Sequence, residues 1–350
     1  MTMTPRRGPV VRIFAGSRRL ASRLAALPNR ASTAKYKLRS GALPAGRHAP
    51  LADPRTSKRQ TLARLGFYVP AVLYLAVFFG YPLAANVVMS FQDYTVTSFY
   101  DGGAPFNGLA NYAAVLGDEL FSTTLWNTVV FTVASLAFQF AIGLGLALFF
   151  RRHFPLSGVL RALLLLPWLL PLLVSGTVFR WLLDQDYGVV NHLLLNLGLI
   201  DDPVPWLVSP DHAMAAVVIA NVWIGIPFNM VILYGGLTSI SPQLYEAAAL
   251  DGAGAWQRFR HLTWPLLRPV TSVVLMLGLV YTIKAFDVVM VLTQAGPADA
   301  TQLLSTWSYQ LSFTQLHFGQ GAAVGNVLIV IAMLFALVYL RAVRREQAGR

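Results

Sequence analysis

The stretch LWNTVVFTVASLAFQFAIGLGLALFF, residues 125–150, contains no charged side chain. A helix of about 20 predominantly apolar residues is long enough to cross the ~30 Å hydrocarbon core of a bilayer. Five further segments have similar length and apolarity, and they lie near residues 67–89, 160–182, 213–237, 266–292 and 322–340. The sequence therefore predicts an all-α membrane protein with about six transmembrane helices.

The composition supports this fold class and excludes several kinds of chemistry. Of the 350 residues 56% are hydrophobic and 12% are charged, whereas soluble domains typically have about 25% charged residues. Cysteine is absent and the six histidines are scattered singly, so neither a thiolate site nor a histidine metal cluster is expected. No GxxxxGK[ST], HExxH or GxSxG motif occurs. We therefore expect no cofactor and no catalytic site in this chain.

Basic residues are concentrated at the amino terminus. Residues 1–60 contain 14 Lys and Arg against one acid, Asp53, so this segment alone accounts for the net charge of +12. Since the rest of the chain is nearly neutral, the basicity does not indicate nucleic-acid binding. We interpret the segment as a disordered cytoplasmic tail lying against anionic lipid, with an Arg-rich organelle presequence as the alternative.

The charges between the apolar segments predict the orientation of the chain. Loops 91–124, 184–211 and 293–320 contain ten acidic residues and no Lys or Arg. The alternate connections contain Arg64, Arg151, Arg152, Arg161, Arg258, Arg260, Arg268, Arg341, Arg344 and Arg345. Because basic loops remain cytoplasmic, the three acidic loops are expected outside and both termini in the cytoplasm.

The connection SPQLYEAAALDGAGAWQRFRHLTWPLLRP, residues 241–269, has the pattern of two short helices and a bend. Ser241 can cap a helix that begins at Pro242, and Gly252 and Gly254 can end it. Pro265 precedes the fifth apolar segment. The loop 239–265 is therefore expected to form a helix, a tight turn and a second helix on the cytoplasmic face.

The first of these helices has little side-chain bulk. Glu246 is followed by Ala247, Ala248 and Ala249, which are strong helix formers that allow another surface to approach the backbone closely. The pattern suits a docking helix, and an ordinary alanine-rich connection is the alternative.

Motifs in this loop resemble the EAA loop of permease subunits of ATP-binding-cassette importers. They are Glu246-Ala247-Ala248, Asp251-Gly252-Ala253, Phe259 and Pro265. The resemblance implies a type I importer permease fold in which Glu246 to Gly252 form a coupling helix seated in a groove of a cytoplasmic ATPase. Trp264 is a departure, since the related pattern usually has Leu before the proline.

Further motifs resemble the carbohydrate-uptake branch of that family, which includes maltose-type and glycerol-3-phosphate-type permeases. Within the pair of permeases that such a transporter contains, the resemblance is to the first. They are residues 106–112, Asn127-Thr128, Leu166-Pro167-Trp168, residues 187–191 and Ala285-Phe286-Asp287. The resemblance covers about residues 67–340. We predict that the transmembrane permease domain spans residues 61–345.

The resemblance also implies an assembly in a bacterial inner membrane. Its partners are a second permease subunit in a heterodimer, two cytoplasmic ATP-binding subunits that bind ATP, and an extracytoplasmic solute-binding protein. The chain itself would not be an enzyme. Disaccharide, oligosaccharide, polyol and glycerol phosphate remain open as solutes.

Ionisable residues within membrane spans are costly and usually face a cavity or a partner. Lys284 and Asp287 lie three residues apart within the predicted fifth span, and hence on one helical face. They are interpreted either as an ion pair that fixes helix packing or as residues of the solute pathway.

Polar and aromatic residues cluster in the fourth span. Asn221, Trp223 and Asn229 are candidate sugar contacts, because amides bond hydroxyls and aromatic rings stack on C–H faces. Trp223 is alternatively a packing or interfacial residue. Pro227 is expected to break the helical hydrogen-bond ladder beside them.

Two other classes of protein compete with an ATP-driven importer. A secondary transporter or channel would need no ATPase, but no internal repeat is evident and the EAA-type loop argues against it. An intramembrane enzyme would need a convergent nucleophile, base or metal set, which the sequence lacks.

Overall fold

The computed structural model describes residues 58–152 and 154–348. The chain divides into a short unit, Met1–Leu65, and a main unit, Gly66–Arg350. Most of the predicted basic tail lies outside the described residues, and the first described helix already begins at Lys58.

Long apolar helices dominate the main unit, as the sequence predicts. Five are long and apolar enough to cross a membrane, and a sixth candidate is a bent pair of helices. In chain order they are span 1 (Tyr68–Met89), span 2 (Glu119–Phe150), span 3 (Ser157–Leu169 with Leu172–Leu182), span 4 (Pro210–Thr238), span 5 (Ala255–Ile283) and span 6 (Phe318–Arg341).

Short helices fill the connections. They are Val96–Asp101, Ala110–Gly117, Val189–Asn196, Pro242–Leu250, Asp287–Leu292 and Leu304–Tyr309. Single π-helical turns occur at Ala76–Gly80, Phe259–Thr263 and Gln310–Thr314. Within the described residues, the extended pairing amounts to one isolated antiparallel bridge, between Gln92 and Phe106.

Spans 2 and 4 pack closely because each has a glycine where the other span places a larger side chain. A Cβ atom on Gly143 would lie 2.6 Å from the Cβ of Asn229, and one on Gly225 would lie 2.3 Å from the Cδ of Gln139. The Gln139 amide Nε2 donates to the carbonyl of Asn221 at 3.0 Å. Small residues permit this approach, and the interhelical hydrogen bond stabilises it.

Span 3 is broken near its middle, a feature that the apolar segment near 160–182 did not reveal. Its two helices meet at an angle of 97°. Leu170 has the extended backbone values φ −74° and ψ 144°, as expected for a residue that precedes proline, here Pro171. The sequence contained this signal.

Span 5 ends earlier than predicted. The helix stops at Ile283, and a separate short helix begins at Asp287. The prediction of a continuous helix over 266–292, with Lys284 and Asp287 on one helical face, is therefore wrong. The hydroxyl of Ser305 donates to the carbonyl of Ala285 at 2.5 Å, which satisfies a backbone group that the break exposes.

Span 4 remains helical through Pro227, so the hydrogen bond that the missing N–H removes from the ladder does not end the helix. A proline inside a membrane helix is tolerated where neighbouring groups satisfy the freed backbone.

The loop between spans 3 and 4 is organised by the buried side chain of Asn191. Its amide nitrogen donates to the carbonyls of Gln185 and Val204, at 3.0 and 2.9 Å. Its oxygen accepts from the Trp206 indole at 2.8 Å and from the Val204 amide at 3.2 Å. One asparagine therefore fixes the geometry of a loop that contains little regular structure.

Candidate functional site

A helix over Pro242–Leu250 forms where the sequence predicts it, and it is named the coupling helix after the role expected for it. Pro242 occupies the first helical position, where its missing N–H costs no hydrogen bond. Ser241 does not cap the helix, because its hydroxyl contacts the side-chain amide oxygen of Gln243 instead.

The bend after the coupling helix requires a left-handed residue. Gly252 has φ +79° and donates its N–H to the carbonyl of Ala249 at 3.1 Å. The N–H of Ala253 donates to the carbonyl of Ala248 at 2.9 Å. These two bonds form a Schellman motif that satisfies carbonyls at the end of the helix. Asp251 is the exposed residue between the helix and the bend.

Substitution of Gly252 by alanine should loosen this bend. A left-handed conformation costs an L-residue about 1 to 2 kcal/mol, which corresponds to about 5- to 30-fold in an opening equilibrium. We expect hydrogen–deuterium exchange in residues 248–253 to accelerate by that factor in Gly252→Ala.

Gly254→Ala is the matched control, because Gly254 has φ −68° and its nearest foreign atom would lie 3.8 Å from a new Cβ. Equal exchange in the two variants would contradict the assignment of the bend to the positive φ of Gly252.

The outward face of the coupling helix carries side chains that are free to dock. Glu246, Ala247 and Ala249 are exposed, and Leu250 is 90% exposed. Within the described residues, the Glu246 carboxylate has no hydrogen-bond or ion-pair partner. This face is therefore open to contact with another surface.

The second part of the loop forms the amino-terminal turns of span 5. Pro265 lies at the start of the helix Trp264–Ile283, after a π-helical turn. The Trp264 ring lies 6.3 Å from that of Phe140 on span 2 and 6.4 Å from that of Phe259. The tryptophan that departs from the related pattern thus adds contact between two spans.

A cavity of about 440 Å³ lies where the break in span 3, the middle of span 4 and the break after span 5 meet. Its wall combines apolar and aromatic surface with a few polar groups, as in many small-molecule sites. The lining includes Gln139, Trp168, Asn221, Phe228, Tyr281, Thr282, Lys284, Phe286 and Asp287.

Three of the five predicted pathway residues line this cavity, namely Asn221, Lys284 and Asp287. Trp223 does not, and its ring packs edge-to-face on that of Phe179 at 5.3 Å. Asn229 is 1% exposed, and its amide donates to the Gly225 carbonyl at 2.9 Å. Trp223 and Asn229 therefore lie outside the wall of this cavity, and their role as sugar contacts stays a prediction.

Lys284 and Asp287 do not form the ion pair that was one interpretation of their spacing. Both side chains are exposed, and among the described residues neither has an oppositely charged partner within 4.0 Å. The Lys284 ammonium lies 5.4 Å from the Tyr281 ring centroid. Two unpaired charges thus face the cavity.

Sequence reasoning missed the aromatic wall of the cavity. The ring of Phe228 lies 6.2 Å from that of Trp168 and 6.0 Å from that of Tyr281. These residues come from spans 3, 4 and 5, so no single segment reveals the row. Gln139 was also missed, although a lone glutamine within an apolar span was an available signal.

The comparisons with known proteins agree with this architecture. Residues 139–346, more than half of the chain, match the model of the family described as binding-protein-dependent transport system inner membrane component. The sulfoquinovosyl glycerol transport system permease protein SmoG of Agrobacterium fabrum is 36% identical over 79% of this chain and 89% of its own length. The trehalose/maltose transport system permease protein MalF of Thermococcus litoralis is 35% identical over 80% of this chain and 93% of its own.

A solved structure shares the fold. A chain of a bacterial ABC transporter involved in the import of the acidic polysaccharide alginate superimposes with a TM-score of 0.71. The alignment covers 82% of this chain and 96% of that one, at 24% identity.

The chain has the fold of a type I ABC importer permease. The chain belongs to the family of inner membrane components of binding-protein-dependent transport systems. Its role is that of the membrane permease of an ATP-driven importer, and a secondary transporter or channel is not favoured.

Proposed function

We propose that this chain contributes part of the translocation path for a sugar or sugar-like solute, and that its coupling helix links this path to a separate ATPase. The observation that carries the proposal is the outward face of Pro242–Leu250, where Glu246 is unpaired and Leu250 is 90% exposed. No described part of the chain covers this face, so it is open to a partner.

The cavity supports the sugar class. Aromatic faces stack on sugar C–H groups, and the amide of Asn221 and the charges of Lys284 and Asp287 can bond hydroxyls. SmoG and MalF are named for transport of sulfoquinovosyl glycerol and of trehalose or maltose. Disaccharides, oligosaccharides, polyols and glycerol phosphate are the candidate solutes.

The partners follow from the same role. They are a second permease that completes the path, two cytoplasmic subunits that bind ATP, and an extracytoplasmic solute-binding protein. A structure of the alginate transporter is described as a complex with a periplasmic protein bound to an alginate pentasaccharide, which supports a binding protein of this kind. This chain would itself hold no ATP.

The proposed site of action is the bacterial inner membrane, with loops 91–124, 184–211 and 293–320 outside and both termini in the cytoplasm. The absence of Lys and Arg from these loops supports the orientation. Lipid surrounds the spans.

The solute role of Lys284 and Asp287 is tested by removing each charge. We expect Lys284→Gln and Asp287→Asn to raise the KM for uptake of the best-transported sugar in a labelled panel by about tenfold or more, since a hydrogen bond to a charged group contributes ~1.5 to 3 kcal/mol.

Arg180→Gln is the matched control, because Arg180 is an exposed cation on span 3 that does not line the cavity. Unchanged KM and unchanged solute preference in both charge-removing variants would contradict a pathway role for these residues.

A further inference from the structure

The inward face of the coupling helix is held by one large side chain. Tyr245 is half-buried, whereas Glu246 on one side and Leu244 on the other are exposed. The other partly buried residue of the helix, Ala248, lies three positions later on the same face and is too small to reach far. Tyr245 therefore provides the main side-chain contact between the helix and the spans above it.

The Tyr245 ring contacts the end of span 2. The guanidinium carbon of Arg151 lies 3.8 Å from the ring centroid, which is a close cation–π contact. Arg151 directly follows Phe150, the last residue of span 2, and its backbone N–H still donates to Ala147 within that helix. The ring is thus joined to a residue that moves with span 2.

The Tyr245 hydroxyl contacts the amino-terminal third of span 5. It lies 2.9 Å from the hydroxyl of Thr263, which is 3% exposed and immediately precedes Trp264. The Thr263 hydroxyl can place its one proton on the Arg258 carbonyl at 3.3 Å. Tyr245 is then the donor, and both hydroxyl groups are satisfied.

Spans 2 and 5 both reach the cavity. Gln139 on span 2 and Gly278 and Tyr281 on span 5 line it. A displacement of the coupling helix that acts on Tyr245 would therefore act on two walls of the cavity at once. Coupling between distant sites is carried by packed side chains and rigid helices of this kind.

We propose that Tyr245 is a positioning residue that transmits movement of the coupling helix to spans 2 and 5 through Arg151 and Thr263. The proposal rests on the coupling role proposed above. The two faces of the coupling helix then have different roles. Glu246 and Leu250 on the outward face bind the ATPase, and Tyr245 on the inward face transmits the movement to the spans. Loss of Tyr245 should therefore uncouple the transporter without releasing the ATPase.

The test uses the whole transporter, purified through a tag on this chain and reconstituted in vesicles. Because the chain has no cysteine, Ala285→Cys places a single thiol in the cavity wall. Its rate of labelling by a membrane-impermeant maleimide is measured with and without ATP and vanadate. Retention of the ATPase and its rate of ATP hydrolysis are measured on the same samples.

We expect Tyr245→Ala to retain the ATPase and to hydrolyse ATP, while the ATP-dependent change in labelling rate falls by about tenfold or more. Tyr245→Phe keeps the contact with Arg151, so its ATP-dependent change in labelling rate should fall by less. Arg151→Met should resemble Tyr245→Ala, whereas Arg152→Met, at an exposed neighbouring cation, should behave as the wild type.

Two results would overturn the proposal. One is a wild-type change in labelling in both Tyr245→Ala and Arg151→Met. The other is loss of the ATPase from these variants, since that would place Tyr245 in docking rather than in transmission. If the wild-type chain itself retains no ATPase, the proposed function fails instead, so the two failures are distinguishable. Tyr245→Phe and Arg151→Met keep the test decisive if Tyr245→Ala does not fold.

Discussion

Gly143→Leu is expected to abolish accumulation of the folded chain. A Cβ atom at Gly143 would lie 2.6 Å from the Cβ of Asn229, 3.1 Å from the backbone nitrogen of Met230 and 3.3 Å from the carbonyl carbon of Asn229. These are atoms close to or within the backbone of span 4, so a change of side-chain rotamer cannot relieve the clash. Spans 2 and 4 would have to separate along their contact.

Gly145→Leu is the matched control, since nothing lies within 4 Å of a Cβ at that position on the same helix. Both substitutions favour helix formation equally, so intrinsic propensity cannot explain a difference between them. Overpacking commonly costs ~1 to 3 kcal/mol and sometimes more, out of a total stability of about 5 to 15 kcal/mol. Size-exclusion profiles of fluorescent fusions in mild detergent measure the effect, and equal monodisperse peaks would contradict the packing.

Glu246→Lys and Leu250→Asp are expected to lower retention of the ATPase by at least tenfold. The first reverses an unpaired charge on the outward face, and the second places a charge at the most exposed apolar position of the coupling helix. A loss of only ~1.4 kcal/mol from the interface already gives a tenfold change. Copurification through a tag on this chain is the measurement.

Thr238→Val serves as the control for these two variants. Thr238 is the exposed last residue of span 4, and its hydroxyl donates to the nearby Gly235 carbonyl. Wild-type retention in Glu246→Lys and Leu250→Asp together would show that the ATPase docks elsewhere.

The features that could be predicted from the sequence are those that local patterns determine. Uninterrupted apolar length predicts each span, because lipid requires every backbone group to bond within a helix. The bend after the coupling helix could be predicted because a left-handed residue is needed there and Gly252 supplies it.

The features that could not be predicted depend on distant residues. The break between Lys284 and Asp287 is stabilised by Ser305, 20 residues further along the chain. Trp223 packs against Phe179, and Asn229 lies against Gly143 of span 2, both distant in sequence. In both cases the sequence indicates a polar or aromatic residue in a span but not the neighbour that decides which way it faces.

The break in span 3 could have been predicted, since its signal is local, but it was missed. Pro171 disfavours the helical conformation of Leu170, and the backbone there is extended. Apolar length alone hid this break, because both halves are apolar and their combined length fits a membrane.

The most direct test of the coupling assignment is photo-crosslinking from a single cysteine on the outward face of the coupling helix. Because the natural chain has no cysteine, Ala249→Cys gives it a single thiol. This thiol is modified with a maleimide benzophenone in membranes that contain the whole transporter. A cysteine at Asp202, in a loop expected to lie outside, is modified in parallel. We expect position 249 to crosslink to an ATP-hydrolysing subunit and position 202 not to do so. No such crosslink from position 249, or an equal one from position 202, would contradict a cytoplasmic coupling helix that docks on an ATPase.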